Sequence, residues 1–419
     1  MLIENNIASK NILDYKVFAP EEYEKLLAQS DVLKHVKIIH ASAVPQGGGV
    51  AEILKSAVAL ERSLGLDARW FSLLPDEQLF AVTKKLHNLL QDLPQGSVPL
   101  LSQPEKEYYR DYNYRVAKAL ADLSPDVLII HDPQPLAALY FMQTNKPRVS
   151  VCRIHIDMTS PEPEAFAFIG PFLESYGTAI FSSEEFVPKN FHAKRAIVSA
   201  PAIDPLSEKN VPVDVETIKK TLALFNIDRD RPLLLQTARF DPWKDPLGTI
   251  AIYRKVKAEV PTVQLVFAGF REAADDPTAA EIFHDVEEAA RGDIDIKLLF
   301  NTTELKGNPL DTVINSLQRS ATVVLHKSIR EGFGLAVTEA MWKERVVIAG
   351  NVGGLKLQIH DGDTGFLVPS VDEAVAKVLM VIKDKKLRQE MGEKAKRTVQ
   401  AHYLITRYLE DELSIILSS

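Results

Sequence analysis

The chain has 419 residues, 46% of them hydrophobic and 25% charged, and a net charge of −8 from 57 acidic and 49 basic side chains. That length exceeds one ordinary hydrophobic core and points to two domains, while the acidic balance argues against a broad nucleic-acid surface. One cysteine, Cys152, rules out an intrachain disulfide. No run reaches the length of a membrane span, and the opening "MLIENNIASKNILDYK" lacks the basic and apolar regions of a signal peptide. A cytoplasmic protein with no membrane attachment is therefore expected.

In chain order, short β-branched runs alternate with longer helical segments. The first half carries candidate strands at 36–42, 68–73, 126–131, 148–154 and 178–183. An amphipathic helix, "VAEILKSAVALERSL", lies at 50–64. The second half carries strands at 232–238, 263–269, 294–300, 321–326 and 345–350. Continuous apolar strands between helices predict parallel sheets covered on both faces. The alternation breaks at 199–231, rich in proline and charge with one short helix, which reads as a connection between two α/β domains. The expected division is an acceptor domain at 1–205, a donor domain at 206–400 whose first part, 206–231, is linker, and a closing helix at 401–419. The apolar positions of that helix need a surface, and the first domain is the expected one.

Three stretches carry chemistry. Gly47, Gly48 and Gly49 stand between a strand and a helix, where bare backbone approaches a ligand closely and helix amides face it. The same glycines also fit a tight turn without a ligand. Arg239 and Lys244, in "RFDPWK", follow the first strand of the second half, at the strand end where open α/β sheets bind ligands. A guanidinium fork and an ammonium point charge together suit a diphosphate. "REGFGLAVTEAMW" at 330–342 places Glu331 in a glycine loop and Glu339 in the helix beyond. That spacing permits two separate ligand contacts and equally a surface glutamate with a capping one.

His131-Asp132, His155-Ile-Asp157 and the pairs Asp228/Asp230, Asp293/Asp295 and Asp361/Asp363 invite a metal reading. None has a full set of ligands at a recognisable spacing, so charged turn residues are the expectation and no metal site is assigned.

Arg239, Lys244 and the E-x7-E pair resemble the retaining family-4 glycosyltransferases of GT-B fold. "GGGVAEIL", "VTKKLHN", "HDPQP", "RFDPWKDP", "REGFGLAVTEAMWK" and "VGGLKLQIHDGDTGFLV" extend the resemblance along most of the chain, toward the trehalose synthases. Those enzymes join a nucleotide-activated glucose to free glucose. The resemblance implies two Rossmann-like domains facing a central cleft. It implies that Arg239 and Lys244 neutralise the leaving diphosphate and that Glu331 binds donor-sugar hydroxyls. Amides of Gly332, Phe333, Gly334 and Leu335 would hold sugar and phosphate, and Glu339 the ribose. The loop Gly47–Gly49 would close on the donor phosphates, and His155 would contact the donor sugar near the reacting carbon. Asp132, Gln134, Lys84, Asn88 and Arg153 would line the acceptor side. The implied partners are a nucleotide-diphosphate glucose, glucose or trehalose, and a second copy in a homodimer. No cofactor is required, though Mg²⁺ can accompany the nucleotide. A trehalose phosphorylase, a transferase with another sugar acceptor and a non-catalytic sugar-nucleotide binder are the alternatives. Departures from the family pattern fall at Pro45-Gln46, Ile154 and Val346, none of them a proposed charged contact.

Overall fold

A computed structural model describes residues 1–91, 98–189, 191, 195–240, 242–269, 279–300 and 305–419. The chain divides into two compact units: Met1–Ala202 with Ile405–Ser419, and Ile203–Leu404.

The strands of the first unit are β1 (Leu2–Glu4), β2 (Lys37–Ser42), β3 (Asp67–Leu73), β4 (Val127–His131), β5 (Val149–Ile154), β6 (Thr178–Phe181) and β7 (Ala196–Val198). They form one sheet in the order β1-β3-β2-β4-β5-β6-β7. All pairings are parallel except that of β1, which runs antiparallel along the β3 edge. Every residue of β4 is buried, as a central parallel strand with helices on both faces requires.

The helices are α1 (Pro20–Leu33), α2 (Gly49–Ser63), α3 (Glu77–Leu90), α4 (Gln103–Leu123), α5 (Ala138–Phe141) and α6 (Pro163–Leu173). Their starts follow local chemistry. Asp76 caps α3 by accepting from Leu79 N, and Ser102 with Glu105 forms a capping box on α4. Tyr109, Tyr112, Phe168 and Phe172 from α4 and α6 pack with Ile39, Leu128, Ile130 and Cys152 of the sheet.

The second unit repeats the plan. Its strands are β8 (Leu233–Thr237), β9 (Gln264–Ala268), β10 (Ile296–Leu299), β11 (Val323–His326), β12 (Val347–Gly350) and β13 (Phe366–Val368). They form an all-parallel sheet in the order β10-β9-β8-β11-β12-β13. Its helices are α7 (Val215–Leu224), α8 (Pro246–Glu259), α9 (Ala279–Ala290), α10 (Leu310–Ser320), α11 (Leu335–Trp342), α12 (Leu355–Gln358), α13 (Val371–Lys383) and α14 (Lys385–His402). Leu234, Tyr253, Leu265, Phe267, Leu325 and Ile348 centre the core.

Every strand expected from the sequence is present, with ends shifted by a residue or two. Three more were missed: β1, β7 and β13. Each has three residues, too short to show a period, and β1 and β7 lie at the two edges of their sheet. Residues 206–231 are no loose tether. Asn315 and Arg319 of α10 bond the carbonyls of Glu208, Asn210 and Val211, which fastens this segment to the second unit.

The last helix, α15 (Ile405–Leu417), belongs to the first unit and packs on α1 and α2. Ile405, Tyr408, Leu409, Leu413 and Ile416 form its buried stripe. Gln29 of α1 donates to Ser414 Oγ at 2.7 Å.

Candidate active site

Each sheet has one place where the chain reverses its direction of travel across the strands. In the first, β2 lies between β3 and β4; in the second, β8 lies between β9 and β11. The carboxyl ends of such strand pairs leave a crevice where connections part in opposite directions, and open α/β sheets bind ligands there. Most of the residues singled out in the sequence fall at these two edges.

At the second unit's edge, Lys244 follows β8 in a 3₁₀ turn, Pro242–Lys244. Gln236 of β8 donates to Lys244 O at 2.8 Å, and Ile329 N donates to Trp243 O at 2.8 Å. The turn is thus tied to both β8 and the loop after β11. Asp241 of the same motif lies outside the described residues. Lys244 Nζ stands 2.5 Å from Glu331 Oε2. His326, the last residue of β11, places Nε2 2.6 Å from that oxygen, and Ser328 Oγ donates to it at 3.1 Å. Burial opposes the charge on Glu331, but the Lys244 ammonium and the His326 bond outweigh it and hold the carboxyl well below the usual range. Arg239 lies partly buried just past β8.

The glycine loop after Glu331 is shaped by two requirements. Gly334 has φ 89°, left-handed backbone that a side chain resists. Gly354 comes so close that a Cβ on it would lie 2.4 Å from Gly332 O. Gly354 N donates to Glu331 O at 3.0 Å, and Gln358 donates to Phe333 O while accepting from Thr338 Oγ1. These bonds fix the loop at the start of α11, whose first amides have no acceptor within the helix. Glu339 is buried on α11. Below it Lys343 Nζ donates to Asn210 Oδ1, Gln318 Oε1 and Glu339 O at 2.8, 2.8 and 3.1 Å. Burial pushes Lys343 down to about 7 against the pull of the Glu339 charge.

The first unit's edge has a different character. Gly47, at φ 88°, turns the chain after β2, and Gly48 is the extended residue that precedes α2, which begins at Gly49. After β4, Asp132 adopts φ 64°. The sequence predicts extended backbone before Pro133. Instead Asp132 Oδ1 accepts from His155 N, just past the neighbouring strand β5, at 2.8 Å, a long-range bond that holds the residue in this left-handed conformation. One oxygen that the sequence assigns to a sugar is therefore already engaged. Burial raises the Asp132 carboxyl to about 7, more than the bond from His155 N lowers it. Tyr109 Oη donates to Pro133 O at 2.6 Å and Asn113 to Gln134 O at 3.1 Å, so α4 fixes this loop. Gln134 Oε1 and, on α3, Asn88 Oδ1 are buried without a hydrogen-bond partner. Lys84 is half-buried on α3, one turn before Asn88.

Arg153 departs from expectation. It is 1% exposed and turned away from the sheet edge, donating to Ser199 O and Oγ at 3.1 and 3.0 Å, with Nη1 3.6 Å from Glu412 of α15. Its side chain lies on the face of the sheet that α15 covers, where it meets Glu412 and the Tyr408 ring. Arg153 is a buried anchor of the C-terminal helix.

The three Asp-x-Asp pairs are held by turns and cations. Asp228 accepts from Asp230 N, Asp293 and Asp295 bond Lys257, and Asp363 pairs with Lys394.

A family model described as "Trehalose synthase, N-terminal domain" matches residues 40–188, and one described as "Glycosyl transferases group 1" matches residues 218–398. Over 411 residues the chain is 40% identical to a trehalose synthase of Thermococcus litoralis, covering 98% of this chain and 97% of that one. The chain belongs to the trehalose synthase family of glycosyltransferases. It is also 27% identical over 382 residues to a trehalose phosphorylase of Pleurotus pulmonarius, covering 82% of this chain and 51% of that protein. Among solved structures, a UDP-forming α,α-trehalose-phosphate synthase from Burkholderia xenovorans in complex with glucose-6-phosphate superposes with a TM-score of 0.75. That match spans 91% of this chain and 100% of the other at 14% identity, and it shows the GT-B fold. Members of this family are enzymes, and the double Rossmann-like plan expected from the motifs is the one found.

Within the family's frame, sequence reasoning passed over His326, His40 and Glu61, and weighed His131 only as a metal ligand. A signal was present. β2 ends in "HAS", β4 and β11 end on the histidines of "HDP" and "HKS", and "HID" follows β5. The four histidines lie at or near the carboxyl ends of their strands.

Proposed function

We propose that this enzyme moves glucose, with retention at its anomeric carbon, from a nucleotide-diphosphate glucose to free glucose, forming trehalose. The observation that carries the reading is the Lys244–Glu331–His326 cluster at the carboxyl ends of β8 and β11. It holds an ammonium beside the start of α11, whose amides favour an anion. A diphosphate arriving there meets Lys244 and Arg239, and developing negative charge on the leaving phosphate is stabilised by groups already in place. A leaving phosphate oxygen takes the acceptor's proton on the same face, so no protein nucleophile is needed. Glu331 binds donor-sugar hydroxyls and Glu339 the ribose. Mg²⁺ is not required by this scheme, because the two cations supply its charge.

The first unit supplies the acceptor side, through Asp132, Gln134, Lys84 and Asn88, with His155 against the donor sugar. The higher identity to the Thermococcus synthase than to the Pleurotus phosphorylase favours a nucleotide over inorganic phosphate. The test is a product assay on purified protein with glucose and a panel of nucleotide-glucoses, beside one with trehalose and inorganic phosphate. Trehalose plus free nucleotide supports the reading. Glucose 1-phosphate from the second mixture, with no trehalose from the first, replaces it with phosphorolysis.

A further inference from the structure

His155 ends a row of three imidazoles that runs down into the first unit. His155 Nε2 lies 3.2 Å from His131 Nδ1, and His131 Nε2 lies 3.2 Å from His40 Nδ1. His40 Nε2 lies 3.1 Å from Glu61 Oε2 of α2. Successive rings stack with centroids 5.5 Å apart and interplanar angles of 22° and 20°. His40, His131 and Glu61 are 1% exposed or less.

Each nitrogen pair in this row must hold one hydrogen, because two lone pairs or two N–H groups facing each other at 3.2 Å repel. The row therefore has two orders. If His40 is neutral and donates to Glu61, its Nδ1 accepts from His131. His131 Nδ1 then accepts from His155 Nε2, and His155 is left with a bare Nδ1. If one further proton sits on His40, both ring-to-ring bonds reverse while His40 Nε2 still donates to Glu61. His155 Nε2 then accepts, and His155 carries its hydrogen on Nδ1.

Charge selects between these orders. The groups facing His40 are Glu61 from α2, His131 from β4, Arg153 from β5 and Glu412 from α15, with Tyr408 of α15 beside Arg153, Glu412 and Glu61. Burial raises the Glu412 carboxyl to about 7, and above that, where it is ionised, two carboxylates against one guanidinium leave a buried deficit that one proton cancels. Arg153, with Nη1 3.6 Å from Glu412 and its guanidinium 3.8 Å from the Tyr408 ring centroid, compensates Glu412. Glu61 has His40 as its hydrogen-bonded partner, so the proton belongs at that end. His40, Glu61 and Glu412 lie close enough to hold a cation. A dication beside Arg153, however, would overshoot neutrality in a site that can hardly bear excess charge.

We propose that His40, His131 and Glu61 are positioning residues that set which ring nitrogen of His155 carries its hydrogen, and that Glu412 of α15 holds this order by its charge alone. Burial supports the neutrality of the upper two rings, pushing His131 well below its ordinary range and His155, aided by the Arg153 charge, down to about 3. Burial pushes His40 down as well, but the charge and bond of Glu61 outweigh it and raise its affinity for a proton. The consequence for catalysis rests on His155 contacting the donor sugar; the ladder itself does not.

The test needs no substrate, which separates it from the assay above. Histidine side chains of the full chain are labelled with ¹⁵N, and ring tautomers are read by long-range proton–nitrogen NMR, with His155→Gln and His131→Gln used for assignment. Above about pH 7, where Glu412 is ionised, wild type is expected to show His155 and His131 with hydrogen on Nδ1 and His40 doubly protonated. Glu412→Gln keeps shape and contacts but removes the charge, so His40 loses its proton and the His155 hydrogen moves to Nε2. Raising the pH of wild type until His40 deprotonates should give the same reversal, and this arm stands if the variant fails to fold. A wild-type His155 protonated on Nε2 overturns the proposal. So does a tautomer that stays fixed in folded Glu412→Gln or after His40 has lost its proton.

Discussion

Two sheets of similar plan, one edged by an antiparallel strand and the other parallel throughout, present opposite electrostatics at their carboxyl edges. In the second unit Glu331 is held ionised by Lys244 and His326. In the first, Asp132 is raised toward neutrality, and His131 and His155 are kept uncharged. The backbone plan is common to both, so the difference comes from side chains at strand ends. Fixed charge suits a diphosphate, and weakly charged donors and acceptors suit the hydroxyls of a sugar. A fold of this kind thus separates two binding tasks with a handful of residues.

The largest expected effect strikes the charged edge. Lys244→Ala should lower kcat by about 10²-fold or more, because it removes a cation aimed at the leaving group. It also strands Glu331 with His326 and Ser328 alone. Equal kcat in variant and wild type, measured at saturating donor, would move the diphosphate away from β8.

On the other edge Asp132→Asn should cost about ten- to hundredfold in kcat/KM for the acceptor. A hydrogen bond to a charged group is worth ~1.5–3 kcal/mol. Donor KM should stay near wild type. A donor defect of the same size would erase the division of labour between the units.

The two carboxyls also separate by pH. Asp132 is protonated below about 7, so acceptor kcat/KM should fall as pH drops through that point and recover above it. Glu331 stays ionised across the same window and should contribute no limb. In Asp132→Asn the acid limb should vanish. If it persists, another group titrates there.

The smallest effect contrasts two loop glycines. An alanine at Gly334 meets a left-handed backbone, costing about 1–2 kcal/mol, and its Cβ falls 3.0 Å from Leu355 Cδ2 and 3.2 Å from Glu331 Cγ. Gly334→Ala should lower Tm by a few degrees. Gly48 has extended backbone and open space around it, so Gly48→Ala should leave Tm in place. Thermal unfolding of the two variants side by side gives the answer, and equal Tm values would remove strain as the reason for Gly334.

Much of this was legible in the sequence. Strand runs such as "VLII" at 127–130 and "LLL" at 233–235 are apolar without alternation, so their central, parallel placement follows from composition. Lys244 and Glu331 were found because loop glycines and prolines punctuate them. Arg153 was misread because a strand's two faces cannot be assigned without knowing what covers each, and its cover is a helix more than 250 residues later. The imidazole row was missed for a related reason. Its members come from β2, β4 and β5, and nothing in one strand announces the neighbour that completes its hydrogen bond.

The return of α15 to the first unit sets an order of assembly. Residues 203–404 leave the ribosome as one uninterrupted stretch and form a unit of their own. The first unit begins earlier and finishes later, because the faces of α1 and α2 that α15 covers stay wet until Ile405 and its successors emerge. A nascent chain halted just before Ile405 would therefore carry a finished younger half and an unfinished older one. Its Arg153 would lack Glu412, and apolar surface on α1 and α2 would be open to whatever holds unfolded chains in solution.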